Sequence, residues 1–272
     1  MKIRKLLIIL LLFSGCGLLL YPGVQMLLSS KHQSVVVHKV ESELLQFDKT
    51  VEQKELKKAK SYNQSIMGSE IKDPFLPGSG IVLPDNYMDV LNVENGIMGI
   101  LEIPSIDVKL PIYHGTSEEV LREGVGHLRE TALPIGQKGC HSVLSTHRGL
   151  PEAKLFTDLD KLTIKDQFYI RLYNSTLAYE VDQIKVVKPS DTRYLKPEKG
   201  KDYVTLLTCT PYGINSHRLM VRGKRCKYVE KTKEAISSKV IPLEYIIAAG
   251  AAGILLIAVL AGKYRARKGM GI

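Results

Sequence analysis

The hydrophobic pattern divides the chain before any motif is considered. Residues 6–28 begin with an apolar run from Leu6 to Leu20, broken only by Ser14, Gly15 and Gly17, which continues through Tyr21-Pro22-Gly23 to Leu28. A helix needs about 20 apolar residues to cross a bilayer, so this run fits a transmembrane signal anchor or a cleaved signal peptide, with the anchor favoured. Phe13-Ser14-Gly15-Cys16 faintly matches a lipoprotein processing box, but Leu18, Leu19 and Leu20 carry the apolar helix past the cysteine. A second run, residues 246–262, ends in Lys263-Tyr264-Arg265-Ala266-Arg267-Lys268 and reads as a stop-transfer helix. Basic residues flank the outer ends of both runs, which places tails 1–5 and 263–272 in the cytoplasm and everything between them outside.

Over residues 31–70 apolar positions recur in steps of three and four, at Val36, Val40, Leu44, Phe47, Val51, Leu56, Ala59, Tyr62 and Ile66, predicting one or two amphipathic helices. Lys57, Lys58 and Lys60 with Glu52 and Glu55 form their solvated face. Asp73-Pro74-Phe75-Leu76-Pro77-Gly78-Ser79-Gly80 then ends helical order, and residues 71–84 form a loop. Residues 85–230 change to short apolar segments separated by turn residues. Strands are predicted at Gly99–Ile103, Val108–Tyr113, His141–Thr146, Gln167–Tyr173, Thr176–Gln183, Val204–Cys209 and Arg218–Arg222, with a hairpin turn at Asn174-Ser175. That spacing predicts a mainly β domain, a compact barrel or sandwich with a few short helices. Residues 231–245 link it to the second apolar run.

The formal net charge of +10 raises the question of nucleic acid. Lys2, Arg4, Lys5, Lys263, Arg265, Arg267 and Lys268 supply seven positive charges at the termini, so the middle is close to balanced and carries no basic stripe with interleaved aromatics. Nucleic acid is excluded as a partner. Of the four cysteines, Cys16 lies in the first apolar run, leaving Cys140, Cys209 and Cys226 outside. An odd number leaves at least one thiol unpaired, with a Cys140–Cys226 bridge open.

In Thr205-Leu206-Leu207-Thr208-Cys209-Thr210-Pro211-Tyr212-Gly213 a strand runs directly into a cysteine. Thr205, Leu207 and Cys209 share one face of it. An antiparallel return near Arg218 would bring a fixed cation beside the thiol. A positive neighbour lowers a thiol pKa from about 8.5 toward a reactive thiolate, and a guanidinium can also stabilise an oxyanion. On residue pattern alone, Cys209 as a small buried hydrophobe with Arg218 as a surface charge is equally open. Acyl transfer also needs a proton carrier, and His32, His38, His114, His127, His141, His147 and His217 all compete for that role. His147 sits where the strand Val143-Leu144-Ser145 meets Arg148-Gly149-Leu150-Pro151, a strand end; His127 and His141 read as satisfied barrel residues.

These residues resemble the class C sortases, the pilin polymerases of Gram-positive bacteria. Thr205-Leu206-Leu207-Thr208-Cys209 is similar to the sortase Thr-Leu-x-Thr-Cys signature, and Asn215-Ser216-His217-Arg218-Leu219 to the segment carrying the family's arginine. His147-Arg148-Gly149-Leu150-Pro151, with Lys154-Leu155-Phe156-Thr157-Asp158-Leu159-Asp160, resembles the histidine segment. Thr146 departs from the Gly that many relatives carry before the histidine. The loop Asp73-Pro74-Phe75 resembles the class C lid, its plainer reading being a linker.

The resemblance implies a sortase-like closed β-barrel behind an N-terminal helical region and between two transmembrane helices. It implies Cys209 as nucleophile, His147 as general acid and base, and Arg218 as oxyanion or substrate stabiliser. In the lid, Asp73 would face Arg218 and Phe75 would lie over Cys209, with Pro74 between them. The implied reaction cleaves a Leu-Pro-x-Thr-Gly type sorting signal between Thr and Gly and joins the Thr carbonyl to a lysine amine of another pilin subunit, so the partners are pilin subunits and the lipid bilayer. No metal or organic cofactor is implied. Three other readings compete: a housekeeping sortase using a cell-wall precursor, a papain-like or wall-amidase hydrolase, and a non-catalytic tethered scaffold. The Asp-Pro-Phe loop and the C-terminal run argue against the first, and the order of His147 before Cys209 against the second.

Overall fold

The computed structural model describes residues 2–68, 70–75 and 86–237. The N-terminal pattern folds as helix α1, Lys2–Leu44, followed by α2, Lys49–Ser65. The break falls where Asp48 caps α2, its side chain accepting from the Val51 backbone N–H at 2.8 Å. Val40 and Leu44 of α1 and Ala59 and Tyr62 of α2 are buried, as their spacing predicts, while Val51 is exposed. Asn63 fastens α2 to the rest of the molecule, accepting from the Leu133 N–H at 2.7 Å and donating to its carbonyl at 3.2 Å.

The expected first span is therefore continuous with the amphipathic segment in one helix. Among the described residues, no helix is long and apolar enough to cross a membrane. The expected second span at 246–262 and the remainder of the loop at 76–84 lie outside the described residues.

Eight strands close into a barrel: β1 Ile97–Ile103, β2 Val108–His114, β3 Val125–His127, β4 Cys140–Ser145, β5 Gln167–Leu172, β6 Ser175–Val187, β7 Asp202–Thr210 and β8 His217–Cys226. The order around it is β1-β2-β3-β4-β7-β8-β6-β5, with β5 pairing back to β1. Two neighbouring pairs are parallel, β2 with β3 and β4 with β7. The predicted strands are all present, and only β3 was not expected: three residues are too few to show an alternation. A short helix, α3 Glu118–Glu123, joins β2 to β3, and α4 spans Glu230–Ser237. The hairpin turn after β5 falls one residue earlier than predicted, on Tyr173-Asn174, because Leu172 pairs with Ser175.

Alternation along β7 and β8 decides which side chains enter the barrel. Val204, Leu206, Leu219 and Val221 belong to the main core with Phe156, Phe168 and Tyr179. Leu207 and Met220 belong to a second, smaller cluster with Leu128, Val143, Val187 and Leu195, against which Ile71 and Phe75 pack. Cys209 and Arg218 stand two residues further along these strands and share this second, outer face.

The open Cys140–Cys226 pairing is settled: Cys140, Cys209 and Cys226 are all free thiols. Both β4 and β8 flank β7, so the two cysteines lie two strand spacings apart, roughly 9.5 Å, where a disulfide needs Cα atoms within about 7 Å.

Candidate active site

The β7–β8 hairpin sets the first contact. Its register pairs Cys209 directly with Arg218, the antiparallel return that the sequence left open. Directly paired residues project to the same face with Cα atoms about 4.5–5.5 Å apart. The third residue arrives on the neighbouring strand. Parallel pairing of β4 with β7 runs to Ser145 opposite Leu207, so His147, just beyond β4, emerges at the same barrel end as Cys209. One ring nitrogen of His147, Nε2, lies 3.2 Å from Glu118 Oε2 at the start of α3.

The loop before the barrel closes over this end. Asp73 makes a two-point ion pair with Arg218, Nε to Oδ2 at 2.6 Å and a terminal nitrogen to Oδ1 at 3.0 Å, and both side chains are almost fully buried. The other terminal nitrogen of Arg218 donates to the carbonyls of Asn215 and His217 at 3.1 and 3.2 Å. The Phe75 ring covers the guanidinium at 5.0 Å and lies 5.9 Å from the His147 ring. Its backbone N–H donates to Asp73 Oδ1 at 3.0 Å, so aspartate and ring form one unit. The expected Asp73–Arg218 pairing is present. The ring is seated on the arginine, beside the histidine and on the second apolar cluster, with Pro74 carrying the chain between the Asp73 and Phe75 side chains.

Electrostatics in this closed arrangement oppose ionisation of the thiol. Burial pushes the Cys209 thiol up, Arg218 pulls it down, and the Asp73 carboxylate pushes it up again. Asp73 thus engages the cation that would otherwise favour the thiolate. Moving Asp73 away frees donors of Arg218 and removes one of the two influences that raise the thiol.

His127 and His141, read from the sequence as barrel residues, are hydrogen-bonded within the fold. His127 is fully buried, its Nε2 donating to the Ala132 carbonyl at 2.9 Å and its Nδ1 accepting from the Tyr87 hydroxyl at 2.9 Å. His141 donates through Nδ1 to the Lys196 carbonyl at 3.1 Å and accepts at Nε2 from Thr205 at 2.7 Å. Burial lowers His127 to about 3 and His141 to about 4, leaving both neutral. Glu118, Arg148 and Tyr212 were not singled out from the sequence, since a contact across 29 or 62 residues leaves no periodic trace. Among the described residues no group of His, Cys, Asp and Glu could hold a metal ion.

Residues 101–226 match the sortase domain family. The solved structure of Streptococcus pneumoniae sortase C is 42% identical, with 71% of this chain and 97% of that chain covered at a TM-score of 0.65. The chain belongs to the sortase family. Streptococcus agalactiae sortase C1, solved in complex with MTSET, is 46% identical over 72% of this sortase and 99% of that chain, with a TM-score of 0.65. Among curated relatives, Bacillus subtilis sortase D is 34% identical over 130 residues, and the match spans 63% of that protein and 47% of this one. These two solved structures are both sortases C, the pneumococcal one described in connection with pilin substrate specificity.

Proposed function

We propose that this sortase is a cysteine transpeptidase that polymerises pilin subunits. The observation that carries the reading is the pairing of Cys209 with Arg218 at the barrel end where His147 emerges. Cys209 Sγ, as thiolate, attacks the Thr carbonyl carbon of a Leu-Pro-x-Thr-Gly type signal, and Arg218 stabilises the oxyanion. The Thr–Gly bond breaks as His147 protonates the departing Gly amine, leaving a thioester on Cys209. A lysine Nζ of a second subunit then attacks the thioester. The C–S bond breaks, His147 takes the amine proton, and the thiolate and imidazolium are restored beside a new isopeptide bond.

Asp73 and Phe75 form a lid that must leave before the first step, because the Arg218 donors engaged by Asp73 are those an oxyanion would use. The similarity to sortases C supports pilin subunits as partners. Residues 6–28 and 246–262 anchor the chain in the cell membrane with both termini cytoplasmic and the catalytic domain outside, a topology resting on the apolar runs and flanking basic residues.

The test is to incubate the full chain in mild detergent with a Leu-Pro-x-Thr-Gly type peptide and weigh the intact protein, alongside Cys209→Ala and Phe75→Ala. The expected result is an adduct of the peptide up to Thr, more abundant in Phe75→Ala and lost in Cys209→Ala. A lysine-containing pilin peptide should then discharge it. No adduct in either lid form, across several signal variants, would overturn the reading. Discharge only by a cell-wall precursor amine would replace pilin polymerisation with wall anchoring.

A further inference from the structure

The paired strands that carry the site stop short of the two groups that must meet. The last contacts between β4 and β7 are the Thr146 N–H to the Leu207 carbonyl at 3.4 Å and the Thr208 hydroxyl to the Thr146 carbonyl at 2.8 Å. His147 lies beyond them in a loop, and Cys209 is one residue further along β7. Strand pairing brings the two segments to the same end of the barrel but does not fix their separation there.

Arg148 bridges that gap. Its side chain is only 9% exposed and its guanidinium reaches three acceptors on two segments, the loop at 157–160 and the end of β7. Nε donates to the Thr157 carbonyl at 3.1 Å, one terminal nitrogen to Asp160 Oδ2 at 2.5 Å, and the other to the Thr210 hydroxyl at 3.3 Å. Arg148 immediately follows His147, and Thr210 immediately follows Cys209. Packing repeats the connection one step out. Gly149 has φ +82°, and a Cβ there would lie 2.7 Å from the Tyr212 ring, so the β7–β8 loop rests directly on the backbone of the histidine loop. An ion pair with Asp160 alone would satisfy the charge; the bond to a neutral hydroxyl at the end of β7 serves no charge balance. Three divergent acceptors also suit a planar fork with donors on every nitrogen, which a lysine cannot reproduce.

We propose that Arg148 is a positioning residue that holds the His147 loop at a working distance from Cys209 by clamping it to Thr210. This rests on the reading of Cys209 as nucleophile and His147 as proton carrier. The three hydrogen bonds of the Arg148 guanidinium all go to protein acceptors other than Cys209 and His147. Arg148 acts by limiting the motion of one loop against one strand end, and a misplacement of about 1 Å between reacting groups can lower a rate about 100-fold.

The experiment compares turnover of a sorting-signal peptide by the full chain carrying Phe75→Ala, so that lid opening does not limit the rate, with the same chain also carrying Thr210→Val, Arg148→Gln or both. Thr210→Val removes the acceptor and leaves the β7 main chain intact. The expected result is a kcat lowered about tenfold by Thr210→Val, with KM and Tm unchanged, and a double variant no slower than Arg148→Gln alone. Arg148→Lys should recover less than half of the lost rate. An unchanged kcat in Thr210→Val, a loss confined to KM, or losses that multiply in the double variant would each overturn the clamp. If Arg148→Gln does not fold, the kcat and KM of Thr210→Val decide alone. A parent that forms no acyl-enzyme overturns the underlying reading instead, and is recognised by the missing adduct before any variant is compared.

Discussion

The parallel strands β4 and β7 bring a cysteine and a histidine together at each end; both thiols are buried and pushed up by burial, but the charge opposite each thiol and the hydrogen bonding of each imidazole differ. At one end Cys140 lies opposite Asp202, whose carboxylate joins burial in pushing that thiol up. The adjacent His141 has both ring nitrogens hydrogen-bonded within the fold and is held neutral. At the other end Cys209 lies opposite Arg218, which pulls its thiol down, and His147 stands beyond the last strand contact with one nitrogen turned to a carboxylate. The same residue types thus form a closed structural corner and a candidate reactive centre. The charge opposite the thiol and the freedom of the imidazole make the difference.

The largest expected effect tests that asymmetry directly. Arg218→Lys, which keeps a charge but loses the two-point fork, should lower peptide turnover about 100-fold. Cys140→Ala, assayed well below its Tm, should leave turnover within about twofold. Comparable losses from both would erase the distinction between the two ends.

A smaller effect concerns the proposed lid, whose Asp73 influences the Cys209 thiol and not that of Cys140. Asp73→Ala leaves a buried guanidinium without its partner and removes a charge that raises the Cys209 thiol. Alkylation of Cys209 by iodoacetamide, followed by peptide mapping, should quicken about tenfold, corresponding to about 1.4 kcal/mol in the opening equilibrium. Cys140 should react as slowly as before. Equal acceleration at both cysteines would mean that the substitution loosened the whole barrel.

The smallest effect concerns pH and two buried histidines. His127 and His141 are lowered in the fold to about 3 and about 4 from an ordinary 6.5. Unfolding lets them take up protons, so stability present above pH 6.5 declines as pH falls toward 4. Asp202, pushed up to about 6 from 3.8 by burial, has the opposite sign: it is stabilising when protonated and costs stability as pH rises through 6. The two histidines outweigh the one aspartate. Tm should therefore drop by roughly 5 °C between pH 7 and 4.5, and more steeply in Asp202→Asn, where the offset is gone. A flat profile in both proteins would show that the histidines take up protons as readily in the fold as in the unfolded chain.

Much of this was legible from local pattern. Seven of the strands follow from apolar segments punctuated by turn residues, and the facing of Leu207 and Cys209 follows from a period of two. The helix break at Asp48 has its own signal in a capping residue, although the uninterrupted run of α1 through residues 28–36 does not. β3 was invisible because Val125-Gly126-His127 is held by its neighbours rather than by its own alternation. The pairing of Asp73 with Arg218 was accessible only through resemblance, since nothing in either segment alone announces a partner 145 residues away.

The sequence by itself determined seven of the eight barrel strands, the shared face of Leu207 and Cys209, and the motif containing Cys209. These depend on interactions within a few residues, which leave a period or a cap in the chain. Only the tertiary structure decided that Cys209 faces Arg218, that Phe75 seats on the guanidinium, that Glu118 reaches His147, and that Arg148 ties the histidine loop to Thr210. Each of those depends on barrel closure and on the parallel pairing of β4 with β7, which join segments far apart in sequence. Side-chain contacts across such joins depend on register and direction, and neither is written in the composition of either partner.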